Sequence, residues 1–157
     1  CKEGFGASRQ DARGVIQSLE ELVVPGRVLR LFCSFTVPPK EKFVVIVATN
    51  PFCLGFLINS NPTRLQKSKK HLSDELIRVS ARDGYAFLTN PEPSVLDCTF
   101  TADLDLGETL AQIAQDSSRV HGLISDSTRT QIINVVEKSM TLEGGISKMI
   151  VRNLMPS

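Results

Sequence analysis

Histidine is scarce in this chain: His71 and His121 are the two among 157 residues. A histidine-based acid/base pair therefore needs one of them. Both read as surface residues, because His71 lies in a basic run and His121 precedes Gly122 at a turn. Cysteine is nearly as sparse. Cys1, Cys33, Cys53 and Cys98 form no Cys-x-x-Cys pair, and the last three sit inside apolar, strand-like runs. That pattern reads as buried reduced thiols rather than a metal cluster or a disulfide framework, and it fits the cytoplasm. No metal and no cofactor are expected. No apolar run reaches about 18 residues, so no membrane span is expected. Nothing near Cys1 resembles a signal peptide, and a start without Met reads as a trimmed or internal segment.

Familiar catalytic signatures are missing as well. Gly144-Gly145 is not followed by the Gly-Lys-Ser/Thr of a phosphate-binding loop. There is no Gly-x-Ser-x-Gly elbow and no His-Glu-x-x-His helix. Net charge is +1, too small to imply a polyanionic partner from charge alone.

What is present is an ordinary globular composition, 41% apolar and 22% charged, which supports a folded core and excludes global disorder. The chain divides into an N-terminal helical segment over 1–23 and a domain over 24–157. Ser8 to Val23 reads as an amphipathic helix. Ser8 and Asp11 make a capping-box-like start, and Val15, Ile16, Leu19, Leu22 and Val23 form one stripe. It packs on its own domain or docks on a partner, and Pro25-Gly26 ends it.

Strand-like runs follow at Arg27 to Phe35, Lys42 to Thr49 and Cys53 to Asn59, separated by Pro38-Pro39-Lys40-Glu41 and Asn50-Pro51. Phe43 to Val47 is a continuous run suited to burial on both sides. The stretch from Leu76 to Phe100 organises the rest. Leu76 to Ser80 alternates apolar and polar residues, Ala81 to Pro93 is an irregular, partly buried crossing, and Ser94 to Phe100 resumes as a strand. About five strands in a small β-barrel, with helices added in front and behind, is the expected α+β fold. Behind the barrel, Leu106, Leu110 and Ile113 suit a helix opened near Asp105. Ser125 caps a longer one carrying Ile132, Ile133, Val136 and Met140, Gly144-Gly145 stops it, and Ile146, Met149, Ile150 and Leu154 suit a last short helix. Core packing accounts for each stripe.

The loop from Asn61 to Ser73 crowds Arg64, Lys67, Lys69, Lys70 and His71 together. It is either a solvated loop or one that contacts phosphates and supplies salt-dependent affinity for nucleic acid. No aromatic residue is interleaved there, so stacking on bases would come from elsewhere. The chemistry left to such a chain suits RNA cleavage without metal. That reaction needs a base for the 2′-hydroxyl proton, a cation beside the phosphate and a donor for the leaving oxygen.

Four segments then carry a resemblance: Pro25-Gly26-Arg27-Val28, Lys42-Phe43-Val44-Val45-Ile46, Phe56-Leu57-Ile58-Asn59-Ser60 and Ser94-Val95-Leu96-Asp97-Cys98. With Gly122 to Thr128 before the penultimate helix, their order resembles the MazF/PemK-like toxin family over about residues 24 to 142. The resemblance is strongest to a divergent branch that has Phe-Leu ahead of an Asp-Cys pair, as Phe87-Leu88 and Asp97-Cys98 stand here. It implies an SH3-like barrel, metal-independent endoribonuclease activity in a toxin–antitoxin or defence system, homodimerisation and inhibition by an antitoxin.

The family's machinery is an Arg-Pro pair opening the second strand, with a serine or threonine after the next. This chain has Lys42-Phe43 at the first position and Ser60 at the second. Lysine keeps the charge without the planar, bidentate guanidinium. Lys42 and Ser60 are the candidate catalytic pair. Arg27, Arg30, Arg64, Lys67, Lys69, Lys70, Ser94 and Asp97 are candidate RNA contacts. Each has a plainer reading: Lys42 guards a strand end, Asp97 bonds loop amides, Ser94 starts a strand, and Arg27 and Arg30 lie on the surface. The alternative function is a catalytically inactive module of the same fold that binds protein or nucleic acid.

Overall fold

The computed structural model describes residues 18–59, 74–81, 85–88 and 94–155. Six strands form one antiparallel sheet: β1 (Arg27–Cys33), β2 (Lys40–Ala48), β3 (Leu54–Asn59), β4 (Leu76–Val79), β5 (Ser94–Asp103) and β6 (Val120–Leu123). Their order across the sheet is β4-β5-β3-β2-β1-β6. Three helices follow or flank β6: α1 (Leu106–Gln115), α2 (Asp126–Glu137) and α3 (Gly144–Leu154), while residues 18–22 are helical ahead of β1. The class is therefore α+β, as expected.

The strand count differs from the expectation. The sheet is a curled, six-stranded half-barrel with β4 and β6 at its edges, one strand more than the five expected. The five expected strands all form, with only their ends shifted. β6 went unforeseen because it is four residues long, contains Gly122 and leaves Gly122 and Leu123 exposed, so it shows no alternation. It pairs with β1 through Arg27↔Leu123 and Leu29↔Val120.

Alternation along the strands builds two cores, one on each side of the sheet. Val28, Val45, Phe56, Ile58 and Leu96 face α2 and α3, meeting Ile132, Val136, Ile150 and Leu154. Leu29, Leu31, Val44, Ile46 and Leu57 face the other way, against Ile113 of α1 and Val23, with Leu19 and Leu22 packed alongside. The described part of the leading helix thus packs on its own domain. Val44 to Ala48 are all buried because β2 lies in the middle of a sheet covered on both faces.

Helix boundaries follow capping chemistry. Asp105 caps α1 by accepting from the Glu108 amide at 2.8 Å, and Ser125 caps α2 by accepting from the Thr128 amide at 3.1 Å. Two expectations fail here. Gly144-Gly145 does not stop α2 but opens α3, and Met140 lies beyond the end of α2, 91% exposed, instead of on its buried stripe.

The turn at Pro25-Gly26 seats β6. Gly26 has φ 95°, a left-handed conformation that costs other residues free energy. Its amide donates to Ile46 O at 2.6 Å, and its carbonyl accepts from the Ile124 amide at 2.8 Å. Arg129 of α2 fastens the same corner by donating to Leu154 O at 2.7 Å and Pro25 O at 3.4 Å. Beyond the reach of β6, the edge of β1 is closed by a side chain: the Gln112 amide group accepts from Phe32 N at 2.8 Å and donates to Phe32 O at 3.4 Å.

Candidate nucleic-acid interface

Lys42 sits third in β2, opposite Leu31 of β1, and shares a face with Val44 and Ile46. On that face the register builds a row across the sheet. Val44 pairs with Leu57, Leu57 with Asp97, and Asp97 with Leu76. The next row outward holds Leu31 and Lys42, then Asn59 with Val95, then Arg78. Lys40, opposite Cys33, continues the same face. Lys40 and Arg78 are exposed and Lys42 is half-buried, so three cations line one end of this face.

Burial pushes the Lys42 ammonium below its usual range, and Lys40 adds to that; Cys33 and Asp97 pull the other way. Asp97 is buried and accepts from the Thr99 amide at 2.9 Å and the Thr99 hydroxyl. Its strand position thus places a carboxylate within electrostatic reach of Lys42. Chemically, this end presents a partly desolvated ammonium with a carboxylate behind it. It also lies where β3 ends at Asn59, directly before Ser60 and the basic loop. Ser60, Arg64, Lys67, Lys69 and Lys70 lie outside the described residues, as does His71.

Other sequence candidates land elsewhere. Ser94 opens β5, 1% exposed and opposite Val79, which is a strand-start position inside the fold. Arg27 donates through Nε to Leu22 O at 2.9 Å and through Nη1 to His121 O at 3.1 Å, tying the leading helix to β6. Arg30 lies on the opposite face from Lys42, paired with Phe43 across β1 and β2.

That opposite face carries a cluster the sequence did not announce. Phe43, Phe87 and His121 come from β2, the 85–88 segment and β6, and each is half-buried. Ring centroids lie 4.7 Å apart for Phe43–Phe87, 5.3 Å for Phe43–His121 and 4.8 Å for Phe87–His121, with buried Tyr85 6.0 Å from Phe87. His121 is thus a strand residue against two phenylalanines, not a surface turn residue. Burial pushes its imidazole below the usual range, and the Arg30 charge adds to this. Only the short β6 brings His121 here, which explains why spacing along the chain gave no signal. The Tyr85 hydroxyl is held by Thr128 Oγ1 at 2.6 Å and the Ser125 amide at 3.2 Å, fixing the 85–88 segment to the cap of α2.

Two arginines border the cluster differently. Arg119 makes a bidentate pair with Glu41 at 2.7 and 2.8 Å and also donates to Arg30 O at 2.9 Å. Among the described residues, the Arg30 side chain has one hydrogen-bond partner, Nη2 to Asp116 Oδ2 at 3.1 Å, and its buried Nε lacks an acceptor. Lys40 and Arg78 were overlooked in the sequence, although the alternation Lys40-Glu41-Lys42 was the available signal for the first.

Of the four cysteines, Cys1 lies outside the described residues. Cys33, Cys53 and Cys98 are free, and burial pushes the Cys53 thiol up to about 11 and the other two upward as well. Among the described residues no group of three or more His, Cys, Asp or Glu is placed to hold a metal ion. Among the same residues no helix is long and apolar enough to cross a membrane. No family model, curated protein or solved structure matches this chain.

Proposed function

We propose that the chain is a single-stranded-RNA-binding protein of the MazF/PemK-like toxin kind, an endoribonuclease that needs no metal. On this reading the curled sheet is that family's SH3-like barrel with β6 added at its edge. The observation that carries the reading is the row of cations Lys40, Lys42 and Arg78 at the end of the sheet where β3 leads into Ser60 and the basic loop. Such a row suits a phosphate backbone, and on this reading the basic residues Arg64 to Lys70 contribute further phosphate contacts. Lys42 neutralises the scissile phosphate. The 2′-oxygen attacks phosphorus, its proton leaves to a base, and the bond to the 5′-oxygen breaks as Ser60 assists that oxygen. Homodimerisation and capture by an antitoxin belong to the same proposal.

The test is RNA cleavage by the purified chain with EDTA present. Wild type is expected to cut single-stranded RNA, and Lys42→Ala to abolish cutting while remaining folded. Unchanged cleavage by Lys42→Ala removes the proposed site.

A second reading, an interaction module without catalysis, is favoured by the apolar end of β1 and the segment after it. Phe32, Phe35 and Val37 are 45%, 48% and 98% exposed there, an apolar patch suited to a protein partner. Expression in a bacterial host separates the two readings: the nuclease arrests growth and the module does not.

A further inference from the structure

We propose that Phe43, Phe87 and His121 form a stacking subsite for one unpaired base of the RNA, bordered by Arg30, on the face of the sheet opposite Lys42. The inference rests on the RNA-binding reading and adds a base-binding surface to it. A backbone-tracking row of cations holds phosphates but offers nothing to a base, and the basic loop contains no aromatic residue. The three rings supply what that row lacks. They lie within 4.7–5.3 Å of one another, and none is fully buried. Beneath them Tyr85, anchored on Ser125 and Thr128, backs the layer as part of the core. A base placed on this surface exchanges water for aromatic faces at little reorganisation cost, because the rings are already held from β2, β6 and the α2 cap.

Among the described residues, Arg30 is the arginine at this rim held by one exposed side-chain contact, to Asp116. Breaking that contact loses little, and moving the guanidinium releases an Nε donor that has no acceptor among those residues. Arg119, held by Glu41 and by the Arg30 carbonyl, stays as structure. A cluster that merely sealed the core would stabilise the fold and leave ligand binding indifferent to its rings. That difference is measurable.

The probe is a 2′-O-methyl adenine hexamer, which cannot be cleaved through its 2′-oxygen, together with its abasic counterpart. The chain has one tyrosine, so Tyr85 ring resonances report on the cluster directly, and of its two histidines the His121 signals are those lost in His121→Gln. Binding of the hexamer is expected to shift both, and the abasic strand to leave them in place. Phe87→Ala is expected to weaken hexamer binding by about 5- to 160-fold, the range for loss of one stacked base. Phe87→Tyr is expected to restore it, which guards against a folding defect. Hexamer binding that leaves the His121 and Tyr85 rings unmoved overturns the subsite while the RNA reading stands. Binding of neither strand overturns both.

Discussion

Lys42 and Phe43 are neighbours in one strand and serve opposite faces of the sheet. On one side a half-buried ammonium feels Lys40 and the Asp97 carboxylate, with Arg78 on the same face three strands across, over a core closed by α1 and Val23. On the other, a phenylalanine packs tilted against Phe87 and edge-on to His121 at the rim of a core closed by α2 and α3. The difference lies in what each cover leaves open. Helix α1 closes its side with apolar side chains and Gln112, so the end of that face is left to the cations of the strands themselves. On the other side a strand and a loop segment, β6 and 85–88, bring rings to the rim. A sheet with different covers on its two faces thus offers a charge-lined and an aromatic-lined end from the same few residues of β2.

The largest test asks whether the two cores are separate units. Phe56, fully buried under α2 and α3, is expected to cost about 3–5 kcal/mol when changed to Ala. Ile113, fully buried under α1, is expected to cost about 2–5 kcal/mol on the same change. Urea unfolding of both and of the double variant checks this. Near-additive losses show that packing on one face does not depend on the other, and a large shortfall shows that the two covers are energetically coupled through the sheet. A narrower probe is Gly55→Ala. A Cβ there would lie 2.4 Å from Val44 Cγ1 and 3.3 Å from Val45 O, on the α1 side. An overpacking loss of about 1–3 kcal/mol is expected, with the His121 ring signals unmoved.

These comparisons also show what the sequence held. Strands β1 to β5 were legible because their apolar runs are long enough to display a period and are bounded by Pro and Asn. The caps at Asp105 and Ser125 were legible because capping is local. β6 and the role of His121 were not, since four residues containing a glycine carry no period and their partners lie far along the chain. Gly144-Gly145 misled for a related reason: glycine marks a break in helix, and the same break can be read as an end or as a beginning. Lys42 and Asp97 were legible one by one. Their nearness was not, because it depends on the register of β2, β3 and β5.

The two arginines at the aromatic rim give a smaller contrast. Arg119→Ala removes a bidentate pair and a bond to the Arg30 carbonyl, and a loss of about 0.5–1 kcal/mol is expected, discounted for the exposure of Glu41. Asp116→Asn, which removes the charge paired with Arg30 but keeps the side-chain oxygen that accepts from Ser118, is expected to leave the thermal midpoint nearly unchanged. Equal losses in both variants would show that Arg30 is as firmly built in as Arg119, and would remove the argument that it is free to leave.

The smallest effect comes from His121, and it separates the faces by pH. Burial first and Arg30 second hold its folded pKa below the ordinary value of 6.5. The unfolded chain therefore binds the proton more readily in the window between the folded pKa and 6.5. Stability is complete above that window, falls as pH drops through it, and falls no further from this source below the folded pKa. The groups around the ring do not blur the window from the acid side: Glu41 and Asp116 are held below their ordinary ranges, by Arg119 and by Ser118 respectively, so both stay ionised until lower pH. Phe43 and Phe87 do not titrate. Thermal midpoints of wild type and His121→Gln, compared from about pH 5 to 7.5, isolate His121 from His71 because His71 is present in both. Wild type is expected to lose stability toward pH 5 more steeply than His121→Gln. Equal slopes would mean that the imidazole is as well solvated folded as unfolded, and the aromatic rim would then be no more enclosed than the cationic end it is contrasted with.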